Sequence, residues 1–275
     1  MPTLALPLFL GLVLAPPHDT AQEAARAAPA LDGFRYVSGR IPAGRVHRYQ
    51  KSNLDGSHAT EIALYLADET HLESLKWHPD EDVATLVQAE MDWEVCSVRA
   101  FRTYTVEADG KRRLRAELVV NPERTAITGH LDTAEFSCAL ERFPWHSYDF
   151  DFASLNVALR FLTAPEGETE LSIVDPTEVD GRPAVVVKGS VFLSYERRER
   201  HAGLDCRRYT IDGPGLEERG GTLWAAVEGE VFLAGFEIAL PDEPGMASGR
   251  LLWRENATLT APEWERFVVE RGRAR

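Results

Sequence analysis

Residues 147–162, SYDFDFASLNVALRFL, set two carboxylates, Asp149 and Asp151, among aromatic rings and run straight into an apolar repeat. Carboxylates so placed either serve acid/base or metal chemistry, or accept hydrogen bonds from the unpaired amides at the start of a helix. Phe152, Leu155, Leu159 and Leu162 recur at helical spacing, and Pro165 with Gly167 end the run. The spacing therefore predicts a short helix capped by Asp151, or by Asp149 before it, with the carboxylate meeting the positive end of the helix dipole.

A nitrogen and oxygen ligand set is offered by His71, His78, Asp80 and Glu81 in THLESLKWHPDED. Along a strand, residues an odd number apart face opposite sides, so one metal ion does not take both histidines without a bend, and the segment reads as a solvated strand end. His130 and His146 stand alone.

Arginines cluster in YERRERHAGLDCRRY. With His201, Ala202 and Gly203 as the turn, Arg197 and Arg198 lie across a ribbon from Arg207 and Arg208, a cationic patch able to take a carboxylate, phosphate or sulfate through bidentate bonds. Glu196, Glu199 and Asp205 are interleaved, which leaves a salt-bridged, solvated hairpin as the alternative. Residues 213–224, GPGLEERGGTLW, are rich in glycine and could offer backbone amides to an anion, but Glu217 and Glu218 oppose that, and a long turn is the better reading. Trp77, Trp93, Trp145, Trp224, Trp253 and Trp264 are rings that line an apolar cavity, stack on sugars, or fill a core. The candidate ligand-binding set is thus Arg197, Arg198, Arg207, Arg208 and Trp224, with no catalytic residue, metal ligand or cofactor assigned.

No G-x-S-x-G, H-E-x-x-H, Walker or Rossmann signature is found. Paired carboxylates of glycosidases are set by space rather than by spacing, so a secreted hydrolase acting on glycans or esters stays open.

The elements that must position these residues are mostly strands. Thr60, Ile62, Leu64 and Leu66 alternate with Ala59, Glu61, Ala63 and Tyr65, and residues 113–120 alternate likewise, which marks an antiparallel sheet with one buried face. The same reading gives strands over 45–52, 71–77, 85–90, 94–106, 124–131, 171–174, 184–192, 204–211, 231–240 and 250–258. Asp-Gly pairs at 32–33, 55–56, 109–110, 180–181 and 212–213 are candidate hairpin tips of type I′. A second helix is expected over Pro262–Arg271, with Trp264, Phe267 and Val268 on one side and a frayed tail after it. The expectation is a mainly β chain with one or two curved antiparallel sheets, half-barrel or sandwich-like, and one short helix on a sheet face. Residues 31–258 form the β domain, divisible at 145, and 259–275 the C-terminal helix and tail.

The chain has 275 residues and a formal net charge of −14, which opposes nucleic acid and anionic membrane surfaces. Its first 30 residues carry an apolar run from Leu4 to Ala15 and then small residues, the pattern of a signal peptide cleaved between Ala21 and Ala30, so a secreted or periplasmic location is expected. Cys96, Cys138 and Cys206 form no C-x-x-C pair; either two of them bridge in an oxidising compartment or they are small buried apolar residues.

DFASLNVALRFL, CRRYTIDGPGLEERGGTLW and LPDEPGMASGRLLW, within residues 148–253, resemble a family of uncharacterised exported bacterial proteins related in shape to the periplasmic carriers of outer-membrane lipoproteins. The resemblance implies a curved half-barrel whose concave face is partly covered by helices. It supplies no active site, and residues 41–140 depart from it. The expectation that follows is an exported, soluble, non-catalytic protein binding a hydrophobic or amphiphilic small molecule or lipid on a concave β face. An envelope structural or interaction module with a protein partner is the remaining alternative, and the oligomeric state is left open.

Overall fold

The structure, a computed structural model, describes residues 33–79, 81, 83–140, 144–148, 150–179, 182–230, 232–239 and 248–272. The expected signal peptide, Asp80, Asp149, the turn at 180–181 and the last three residues of the tail lie outside the described residues.

Eight strands come first: β1 (Arg45–Ser52), β2 (Thr60–Leu66), β3 (His71–Trp77), β4 (Ala84–Asp92), β5 (Ser97–Val106), β6 (Arg112–Val120), β7 (Ala126–Leu131) and β8 (Ala134–Ala139). A two-residue strand, β9 (Trp145–His146), leads into helix α1 (Ala153–Ala158) and a 3₁₀ turn over Leu159–Phe161. Six more strands follow, β10 (Glu168–Val179), β11 (Arg182–His201), β12 (Leu204–Asp212), β13 (Gly221–Ala226), β14 (Leu233–Ala239) and β15 (Ser248–Thr258), before helix α2 (Ala261–Arg271). No helix among the described residues is long and apolar enough to cross a membrane.

All fifteen strands belong to one curved sheet, in the order β8-β7-β6-β5-β4-β3-β2-β1-β15-β14-β13-β12-β11-β10-β9. Each run of strands is a meander, and the two are joined where β1 pairs antiparallel with β15, from Arg45 opposite Thr258 to Ser52 opposite Arg250. Pairing is antiparallel throughout except at β9, which lies parallel to β10 with Trp145 opposite Ser172, so the sheet is mixed at that edge. Bulges at Arg48/Tyr49, Glu90/Met91, Thr103/Tyr104, Ile173/Val174, Tyr195/Arg197 and Trp224/Ala225 add local twist and bend the strands. The bend carries the far edge back across the fold: Ser97 Oγ accepts from the Trp145 amide at 3.1 Å and donates to the Trp145 carbonyl at 3.3 Å, tying β9 to β5.

Alternation gives the sheet two main cores and a small third cluster of Cys206, Trp224 and Ala234. The inner face presents Tyr49, Leu64, Phe101, Leu118, Leu193, Tyr209 and Phe236, and the hollow is filled by Leu155 and Val157 of α1 with Phe150 and Phe152 before it and Phe161 after it. On the outer face, Val46, Tyr65, Leu75, Trp77 and Leu86 are covered by Trp264 and Val268 of α2, which realises the expected C-terminal helix and its apolar side. Trp264 stacks on Tyr65 with ring centres 4.8 Å apart and donates to Glu73 at 2.5 Å.

Two local expectations are corrected. Type I′ tips require positive φ at both central residues, yet at 55–56 and 109–110 only Gly56 (φ 87) and Gly110 (φ 84) are left-handed. Their amides return to the Asn53 and Glu107 carbonyls at 2.9 and 2.8 Å, so the aspartate stays right-handed and the glycine alone takes the position that a side chain resists. The tight tip with two positive φ values is Ala202 (φ 49) and Gly203 (φ 80), closing β11 on β12. Asp212-Gly213 is no hairpin tip: Gly213 opens a 3₁₀ turn, Pro214–Leu216, and a Cβ there would stand 2.7 Å from the Ser190 carbonyl oxygen.

The three cysteines are free thiols; Cys96 and Cys206 are buried and Cys138 is half-buried. Of the two sequence readings, small buried residues describes the first two.

Candidate functional site

Asp151 does not cap α1. The residue preceding the helix is Phe152, neither Asp151 nor Phe152 is in extended conformation (φ 48 and 51), and no side-chain cap bond is made. The carboxylate instead turns to two lysines, with Lys51 Nζ at 3.1 Å and Lys76 Nζ at 2.8 Å, at 3% side-chain exposure. Burial pushes the carboxyl up, but Lys51 and Lys76 outweigh it and hold Asp151 below the usual carboxylate range. A charge taken out of water needs partners more than a helix amide needs a cap, which is the physical reason that the spacing misled. Lys51 also lies 5.3 Å from the centre of the Tyr148 ring.

The arginine ribbon forms with the expected register, Arg197 opposite Arg208 and Arg198 opposite Arg207. Most of it is a salt-bridged outer surface: Arg197 reaches Glu199 at 2.9 Å, Arg208 reaches Glu196 at 2.8 Å, and Arg198 reaches Glu166 at 3.4 Å. Trp224 is not an open platform, since it is 7% exposed, lies under the His201 ring at 4.0 Å and donates to Glu199 at 2.6 Å. The glycine-rich segment uses its amides internally, with Leu216, Glu217, Glu218 and Arg219 all donating to backbone carbonyls between Gly213 and Leu216. It therefore has no nest to offer at those positions.

His71 is held by Asp68 at 2.7 Å and His78 by Thr60 at 2.9 Å. No group of metal-ligating residues converges among the described residues. His146 and Ser154 make a serine–histidine contact at 2.7 Å, but both have 0% exposure, so the pair is an interior hydrogen bond that substrate does not reach. Burial pushes His146 down to about 4, and does the same to His47.

Arg207 is the exception within the ribbon. It lines a cleft of about 390 Å³ with Arg40, Leu159, Arg160, Leu162, Pro165, Tyr209, the end of β13 and Phe232. Each wall is positioned by a traceable contact. The segment before β1 pairs with the exit of the 3₁₀ turn through a Phe34–Leu162 bridge and an Arg35 amide bond to the Phe161 carbonyl at 2.9 Å. Phe34 and Tyr36 pack with Trp93 and Phe161. Glu69 accepts from Tyr36 at 2.7 Å, from Ser38 at 2.8 Å and from the Gly39 amide, which anchors the loop immediately before Arg40. Tyr209 donates to the Pro165 carbonyl at 2.6 Å and holds that wall against β12. Arg160 donates to the Gly229 carbonyl at 2.5 Å and lies 4.6 Å over the Phe232 ring. Burial, and then the neighbouring charge of Arg40, push the Arg160 guanidinium below its ordinary value.

Sequence reasoning reached Arg207 and missed Arg40 and Arg160. The available signal was Arg160 itself, the one charge in the run ASLNVALRFL. The chain matches no protein-family model and no curated protein, so the site is read from its geometry alone.

Proposed function

We propose that this is an exported, non-catalytic binding protein that takes a hydrophobic or amphiphilic small molecule or lipid where the inner helix meets β12 and β13. The observation that carries this reading is the cleft of about 390 Å³, in which Leu159, Leu162, Pro165 and Phe232 stand within a mostly polar lining. Its volume falls in the range of roughly 300–1,000 Å³ usual for small-molecule sites, and its polar groups suit the charged or polar end of an amphiphile. The hollow of the sheet is occupied by Phe150, Phe152, Leu155 and Phe161, which supports a reading in which the ligand sits at the seam rather than deep against the inner face. A half-barrel scaffold supports the carrier reading only by analogy of shape.

Native mass spectrometry of the protein after mild extraction tests it, together with titration of fluorescent acyl probes. A retained ligand, or probe binding that is lost when Leu162→Asp charges the apolar wall, supports the reading. Homogeneous ligand-free protein that also ignores the probes refutes it.

A further inference from the structure

We propose that the ligand of this cleft is an anion, a carboxylate or phosphate group gripped by the guanidiniums of Arg160 and Arg207 with Arg40 at the rim. The inference rests on the binding reading above and names the chemistry that the site selects.

The first support is a contrast within one ribbon. Arg197, Arg198 and Arg208 each have a glutamate within ion-pair distance. Among the described residues, Arg207 has none, and neither do Arg160 and Arg40, although the chain as a whole is acidic by 14 charges. Glu228 lines the same cleft but is exposed and forms no ion pair with them. A surface rich in acid groups that leaves three arginines uncompensated in one recess has concentrated positive potential there.

The second support is unsatisfied hydrogen-bonding capacity. Arg160 Nη1 and Arg207 Nε are shielded from water and have no hydrogen-bond partner among the described residues, as is true of Arg208 Nε, but only Arg208 has a carboxylate, Glu196 at 2.8 Å, to offset its charge. An N–H so placed is costly when left without an acceptor. A guanidinium matches the two oxygens of a carboxylate or phosphate in a planar fork.

The third is preorganisation. The bond from Arg160 to the Gly229 carbonyl and its stacking on Phe232 fix the fork before a ligand arrives. Charge repulsion between Arg160 and Arg40, one cause of the lowered Arg160 basicity, is the interaction that a bound anion reverses. Leu159 and Leu162 line the same cleft as the guanidiniums, which suits an alkyl chain attached to the anion.

Isothermal titration of the full chain with dodecanoate, dodecyl phosphate, dodecanol, dodecyltrimethylammonium and inorganic phosphate tests the inference. Expected is binding of the two anionic amphiphiles about tenfold or more tighter than dodecanol. Arg160→Gln and Arg207→Gln, each checked for an unchanged thermal melt, should erase that preference while leaving dodecanol affinity in place, and Arg198→Gln should change nothing. If dodecanol binds as tightly as dodecanoate and both variants are silent, the anion site is refuted and the binding reading survives. If inorganic phosphate binds as tightly as dodecyl phosphate and the arginine variants abolish it, the anion site stands and the amphiphile reading is refuted. If no probe binds, both fall.

Discussion

Lys51 and Asp151, 100 positions apart in sequence, meet at 3.1 Å in the interior and tie the first strand to the entrance of the inner helix. Lys76 completes the cluster from β3 at 2.8 Å.

Asp151→Asn removes a buried carboxylate charge shared by Lys51 and Lys76 and is expected to cost about 3–5 kcal/mol. Asparagine tolerates the left-handed backbone at this position as well as aspartate does, so the loss reports charge and not φ strain. Urea denaturation checks it, and a change within about 1 kcal/mol would show that the cluster contributes little.

His47 and His146 make stability pH-dependent. Unfolded, both imidazoles protonate near 6.5; folded, burial first of all holds them neutral down to about 4. Across that interval the unfolded chain binds more protons, so this contribution is fully present above pH 6.5 and is lost as pH falls toward 4. The loss is up to roughly 3 kcal/mol for each residue. Unfolding free energies at pH 7.5 and 5 measure it, and a His146→Gln variant should flatten the dependence. Equal stability at the two pH values contradicts the assignment.

Gly129 sits opposite Leu118 in the β6–β7 pair, and a Cβ there would stand 1.7 Å from the Glu117 carbonyl oxygen. That contact is with backbone, so Gly129→Ala must part the two strands. A loss of about 3 kcal/mol or more is expected, in the upper range for overpacking. Hydrogen exchange should rise in β7 and β8 first; unchanged protection there argues against the register.

The start of α2 has a capping box, with Glu263 accepting from the Thr260 amide at 2.8 Å and from its hydroxyl at 2.7 Å. Thr260→Ala should cost about 1 kcal/mol, whereas Trp264→Ala, which uncovers the outer core, should cost about 3–5 kcal/mol. Thermal melts of the two variants side by side decide whether the helix is a structural cover; equal small shifts would say that it is not.

Two-residue alternation made most strands readable, with β1 and β3 at the bounds expected; the expected inner helix is shorter than its apolar spacing implied, with only Leu155 of the four spaced residues inside α1. The strands that escaped have physical reasons. β9 is only Trp145–His146, β8 shows both its faces to solvent so that its alternation is weak, and β13 begins inside a glycine-rich stretch that reads as a turn. The turn type was misjudged because Asp-Gly serves a bulged tip as well as a type I′ tip, and composition does not separate them. The site was half legible. Arg207 stood in a visible cluster, but its partners Arg40 and Arg160 come from other parts of the chain and converge only through the Phe34–Leu162 bridge and the Glu69 anchor. Ion pairing is likewise invisible in one dimension: four neighbouring arginines looked alike, and three of them are neutralised.

The seam between β1 and β15 has a consequence for how the molecule comes into being. Either meander can zip from hairpin to hairpin using neighbours in sequence, but the two become a single surface only when the last strand docks beside the first, more than 200 residues away. Such a closing contact carries a large loop-closure penalty and belongs late in folding. Until it forms, two long ribbons present bare edges, and the molecule depends on finishing its own joint before a stranger's strand takes the place.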